Sequence, residues 1–166
     1  MTSKNNSDFF NKVTVSLASI AKCDIMQIDD LLERGQKLIL TWLKDENLRE
    51  HFKNDAMMYY YNIACIAFSA GVLYADAWDK DITQIKMGTV DTLLSAQPDL
   101  TGVAFDVLGV ERDDENTRRI IDSMFERFLE LMTPYWDKVD PRPFLFQGIL
   151  AFLEIGISYR LRKNKY

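Results

Sequence analysis

The chain has 166 residues, 48% of them hydrophobic, and a formal net charge of −5 at pH 7. That length suits one domain with a sizeable core. The acidic balance excludes a general nucleic-acid binder, which needs a basic surface to displace counterions from phosphate.

Gly and Pro are scarce, at seven and four, and the apolar spacing is helical nearly throughout. The expected fold is all-α: a compact single-domain bundle of about six helices over residues 8–162. Residues 1–7 read as a disordered tail and 163–166 as a short basic tail. Ser7 can cap a first helix to about Lys22, with Phe9, Val13, Leu17 and Ile20 as its apolar stripe. Asp24 can cap a second, about Ile25 to Lys44, with Gly35 marking close packing or a bend.

The third helix, about 55–78, contains the uncharged run AMMYYYNIACIAFSAGVLYA from Ala56 to Ala75. A run this apolar must be buried on almost every face. It is long enough to cross a bilayer, but Asp55 and Asp76 flank it and three tyrosines interrupt it, so a buried core helix is expected and no membrane span. Ala67, Gly71 and Ala75 fall four apart and predict a tight helix crossing. The last helix, about 141–162, carries the second uncharged run, PFLFQGILAFL, and offers Gly148 and Ala151 as the opposing surface.

Between these two central helices the pattern predicts weaker helices at about 82–95 and 100–108. A strongly amphipathic helix then runs from Asp113 or Asp114 to about Met132. Thr133-Pro134 breaks it, and Asp140-Pro141 opens the final helix.

No motif in the chain points to reactive chemistry. His51 is the sole histidine, without a nucleophile or base partner at a recognisable spacing, and no G-x-S-x-G elbow, H-E-x-x-H or Glu-x-x-His pair occurs. Asp76, Asp79 and Asp81 do not fit a calcium loop, since Gln84 and Val90 stand where Gly and Glu are needed. Met87–Thr92 lacks the second Gly and the Lys-Ser/Thr of a phosphate loop. Cys23 and Cys65 read as buried reduced thiols. No catalytic residue, metal or cofactor is expected. Gln147, Ala151, Glu154, Ser158 and Arg162 form one narrow stripe, read as the solvent-facing strip of the last helix.

What remains is an aromatic surplus and one acidic face. Tyr59, Tyr60 and Tyr61 point three ways around a helix, followed by Trp78 and by Tyr135 and Trp136 at the Pro134 break. Tyr and Trp suit interfaces and groove walls. Asp122, Glu126 and Glu130 lie four apart on the amphipathic helix and suit a basic partner. These nine residues are the candidate partner-binding set.

In size and acidity the chain resembles the small acidic helper proteins of bacterial secretion and toxin systems, such as chaperones, adaptors and immunity proteins. The resemblance is compositional and carries no site residues. The expected function is a non-enzymatic interaction module that binds a partner polypeptide in the cytoplasm, with a homodimer possible. The alternatives are a small-molecule binder or sensor with a pocket lined by Tyr60, Phe68, Phe146 and Phe152, and an enzyme of unrecognised type built on carboxylates or tyrosines.

Overall fold

A computed structural model describes residues 2–44, 56–79, 115–136, 140 and 142–165. These residues are helical, without strands: α1 (Thr2–Ala21), α2 (Asp29–Lys44), α3 (Ala56–Asp79), α4 (Glu115–Met132), a 3₁₀ turn (Thr133–Tyr135) and α5 (Arg142–Lys165). The all-α class agrees with the sequence reading. Five α-helices are described, not six; the weaker helices expected at about 82–95 and 100–108, and His51, lie outside the described residues.

Several boundaries differ. α1 begins at Thr2, so residues 2–7 are helical, not a disordered tail. No Gly or Pro interrupts them, and extending an existing helix costs far less than nucleating one. At the other end α5 continues through Lys165 and absorbs most of the expected basic tail. α2 starts at Asp29, four residues after the expected start, and the Ile28 carbonyl accepts its first bonds, from the Leu31 and Leu32 amides at 3.0 Å.

The delay has a local cause. Lys22 adopts a left-handed conformation (φ 55°) and the Cys23 amide donates back to the Ala18 carbonyl at 3.1 Å, so α1 ends in a Schellman-type turn. The chain leaves that turn extended, and Met26 N–H donates to Ser158 Oγ of α5 at 2.9 Å instead of entering a helix.

α2 and α4 are strongly amphipathic and lie on the outside; α3 and α5 have almost no amphipathic character and form the largest interface of the bundle. Their stretches Met57–Ala75 and Arg142–Arg162 are long and apolar enough to cross a membrane, and 72% of each is buried inside the fold.

The crossing is built on glycine. A Cβ on Gly71 would overlap the Leu153 carbonyl oxygen and sit 3.1 Å from Gly156 Cα, and one on Gly156 would overlap the Phe68 carbonyl oxygen. The small residue expected on α3 is therefore in place, but its counterpart is Gly156, not Gly148. Gly148 packs instead under the Phe128 ring of α4, while Ala151 is buried.

Around this crossing, Phe128 stands edge-on to Phe152 (6.0 Å, 84°) and Phe125 joins both rings. A second aromatic cluster closes one end, where Tyr135 stacks on Phe144 (4.3 Å, 19°) and Phe9 of α1 meets both edge-on at 5.3 Å.

Candidate functional site

The candidate residues separate into three groups. Tyr59 is buried in the core at 7% exposure, its ring 5.3 Å from that of Tyr60. Tyr135 is half-buried in the aromatic cluster beside Phe144, and Trp136 packs partly against the core, so both serve the fold at this end. Trp78 lies in the last turn of α3, beyond the residues whose side chains are described.

Of the rest, Tyr61 and Asp122 are brought into contact, Tyr60 is partly buried beside Tyr59, and Glu126 and Glu130 are exposed on α4. The Tyr61 hydroxyl donates to Asp122 Oδ1, and its ring stands edge-on to Phe125 at 5.2 Å. Those two contacts join the first turns of α3 to the middle of α4. One turn further along α4, Glu126 is exposed, and Glu130 pairs with Arg127 at 2.8 Å on an open surface. An exposed pair of this kind is worth little and leaves the carboxylate available.

Beside Tyr60 and Tyr61, Met57 and Met58 stand exposed at 43% and 46%. The sequence reading missed these two, because they open a charge-free run that was taken to be buried all round. The signal available was their place in the first turn, next to charged Asp55. The start of α3 and the neighbouring α4 thus combine flexible thioethers, half-buried tyrosines and carboxylates.

Burial first, then the neighbouring Cys65 and the bond to Asp122, push the Tyr61 phenol well above its ordinary range. Cys65 is raised to about 12, mainly by burial. At neutral pH both hold their protons, so Tyr61 acts as a donor and neither group is a ready nucleophile. Losing this donor leaves a half-buried carboxylate without one partner. Tyr61→Phe is expected to cost about 1–2 kcal/mol in urea unfolding; a loss below about 0.3 kcal/mol would show that the bond contributes nothing in solution.

Of the residues expected to line a pocket between the third and last helices, Tyr60 and Phe146 are partly buried. Phe68 and Phe152 are fully buried, and the helices touch backbone to backbone at Gly71 and Gly156. Among the described residues no cluster of three or more His, Cys, Asp or Glu could hold a metal ion.

The largest correction concerns the stripe Gln147–Ala151–Glu154–Ser158–Arg162. It is not a solvent-facing strip: Ala151, Glu154 and Ser158 are all 0% exposed. Ser158 and Arg162 instead hold the segment between α1 and α2. Ser158 Oγ accepts the Met26 amide and donates to the Glu154 carbonyl at 3.0 Å. Arg162 Nη1 donates to the Ala21 and Lys22 carbonyls at 3.1 and 2.7 Å, and its guanidinium lies 4.8 Å from the Tyr159 ring centre.

Polar residues at helical spacing look like a wet face whether they meet water or a neighbouring backbone. Here they meet backbone that no helix satisfies. Glu154 is the exception, since neither carboxylate oxygen has a hydrogen-bond partner.

No known protein family, curated protein or solved structure matches this chain.

Proposed function

We propose that the protein is a non-enzymatic interaction module, a small acidic helper of the chaperone, adaptor or immunity-like kind. Its partner is a basic, partly apolar polypeptide segment that docks where the first turns of α3 meet α4. The Tyr61–Asp122 bond carries this reading, because it ties the start of α3, where Met57 and Met58 are exposed, to α4, where Glu126 is exposed.

Each part matches one property of such a partner. Methionine repacks against irregular apolar side chains at little cost. Tyrosine adds contact area with a polar tip. The acidic row attracts lysine and arginine and sets the orientation of approach. The burial of α3 and α5 against one another supports reading them as the core of a bundle in water, which leaves this outer face as the working surface.

The test uses an amphipathic lysine–leucine peptide of about 18 residues, with a glutamate–leucine peptide as its counterpart. The basic peptide is expected to bind at low salt and the acidic one not to bind. Glu126→Lys combined with Glu130→Lys should weaken binding about tenfold, and Met57→Ser with Met58→Ser by a similar factor. Equal affinity for both peptides, or no effect of either double substitution, would overturn the proposal.

A further inference from the structure

We propose that the segment joining α1 to α2, residues 23–28, is a pH-gated flap: ionisation of the buried Glu154 releases the segment from α5.

Glu154 stands one and two turns before the two α5 residues that hold the segment, and its backbone carbonyl accepts from one of them, Ser158. It shares its face of α5 with Ser158, which holds the Met26 amide, and with Arg162, which holds the carbonyls at the end of α1. The Glu154 charge acts on Cys23, which opens the segment, and the charge of Asp29, which closes it, acts on Glu154.

The carboxyl is 0% exposed and neither oxygen has a hydrogen-bond partner. A neutral carboxylic acid tolerates such a place; a carboxylate there is uncompensated and drives whatever motion hydrates it. Water is close, because an open groove of ≈ 530 Å³ runs along the outer side of the segment, bounded by Val15, Lys22, Cys23, Ile25 and Arg162.

Burial and Asp29 both favour the neutral acid, and no cation is among the groups that act on Glu154. α2 presents Asp29, which repels it, and the connector presents Cys23, whose thiol burial raises to about 11 and so keeps neutral. On α5 itself, Arg162 is directed at the α1 carbonyls. On α1, Asp8 and Lys12 are exposed, as are Lys22 in the turn after it and Asp30, Glu33, Arg34 and Lys37 on α2, and α3 carries no charge from Met57 to Ala75. On α4, Asp122 accepts from Tyr61.

Burial, and secondarily Asp29, raise Glu154 from 4.5 to about 7 in the closed form. In the released form the group is hydrated and returns towards its ordinary value. The opening equilibrium therefore climbs as pH rises through that interval and levels off above it.

Amide hydrogen exchange on the intact chain tests this, each rate being divided by the intrinsic rate at the same pH. Between pH 5 and pH 8 the protection factors of residues 23–28, Met26 above all, are expected to fall at least about tenfold, while α3 and the middle of α5 keep theirs. In Glu154→Gln the fall should shrink to less than about twofold. Asp29→Asn, at an exposed helix start, should reduce it, because the repelling charge is gone.

Three results would overturn the flap. One is protection that does not change with pH in the unaltered chain. Another is the same fall in Glu154→Gln, and the third is a fall shared equally by the core helices.

Discussion

Gly156→Ala is expected to lose about 3 kcal/mol or more of unfolding free energy, although alanine is the better helix former. In an exposed helix the same change gains about 1 kcal/mol from propensity alone. Here the new methyl would overlap the Phe68 carbonyl oxygen, with the Phe68 carbonyl carbon at 3.0 Å. Backbone in the middle of a helix cannot step aside without moving the helix, so α3 and α5 must separate along their largest interface.

Gly71→Ala should behave alike, since its methyl would overlap the Leu153 carbonyl oxygen and lie 2.9 Å from the Ile157 nitrogen. Gly35→Ala is the control. Its methyl meets no backbone, only the buried Leu153 side chain, with Cγ at 3.0 Å and both δ methyls closer, so the expected loss is smaller, about 1 kcal/mol. Urea unfolding of the three variants orders them. A Gly156→Ala protein as stable as its parent would mean that the helices do not cross at this point.

Raising the pH from 5 to 8 is expected to destabilise the protein, in the opposite sense to a carboxylate held by an ion pair. The folded chain keeps a proton on Glu154 up to about 7, whereas an ordinary glutamate gives it up near 4.5. Between those values the folded state binds more protons than the unfolded state, so stability falls as pH rises. The contribution is fully present below about 4.5 and spent above about 7. A gap of that width corresponds to about 3 kcal/mol as an upper figure.

Asp140 works in the other direction but outside the window. Arg142 bonds hold its carboxyl below the ordinary 3.8, so its stabilising charge is lost only in stronger acid. Unfolding free energies measured from pH 5 to 8 should therefore slope downward in the parent and lie nearly flat in Glu154→Gln. An upward slope in the parent, or an unchanged one in the variant, would show that Glu154 is solvated in the folded state.

The outer helices were legible because their apolar residues recur at helical spacing on one side only. Phe125, Phe128 and Met132 are buried where the stripe on α4 places them, and Leu31, Leu38 and Trp42 likewise on α2. The candidate site was legible in part. Asp122 stands out by charge and Tyr61 by aromatic area, and no spacing in the chain says that the two would bond across 61 positions. Tyr59 stands out with its neighbours, although only the packing reveals which of three consecutive tyrosines turns inward.

Composition and periodicity by themselves determined that this is a helical protein with two helices built on long charge-free runs at its centre and a small-residue notch on α3. Those properties follow from local spacing and from the cost of leaving apolar surface in water. Only the tertiary structure decided which glycine fills the notch, which methionines stay outside, and that Glu154 and Ser158 face protein rather than water. A polar side chain is satisfied equally by solvent or by an unpaired backbone group, and which of the two it meets depends on where a connector far away in the chain leaves its helix.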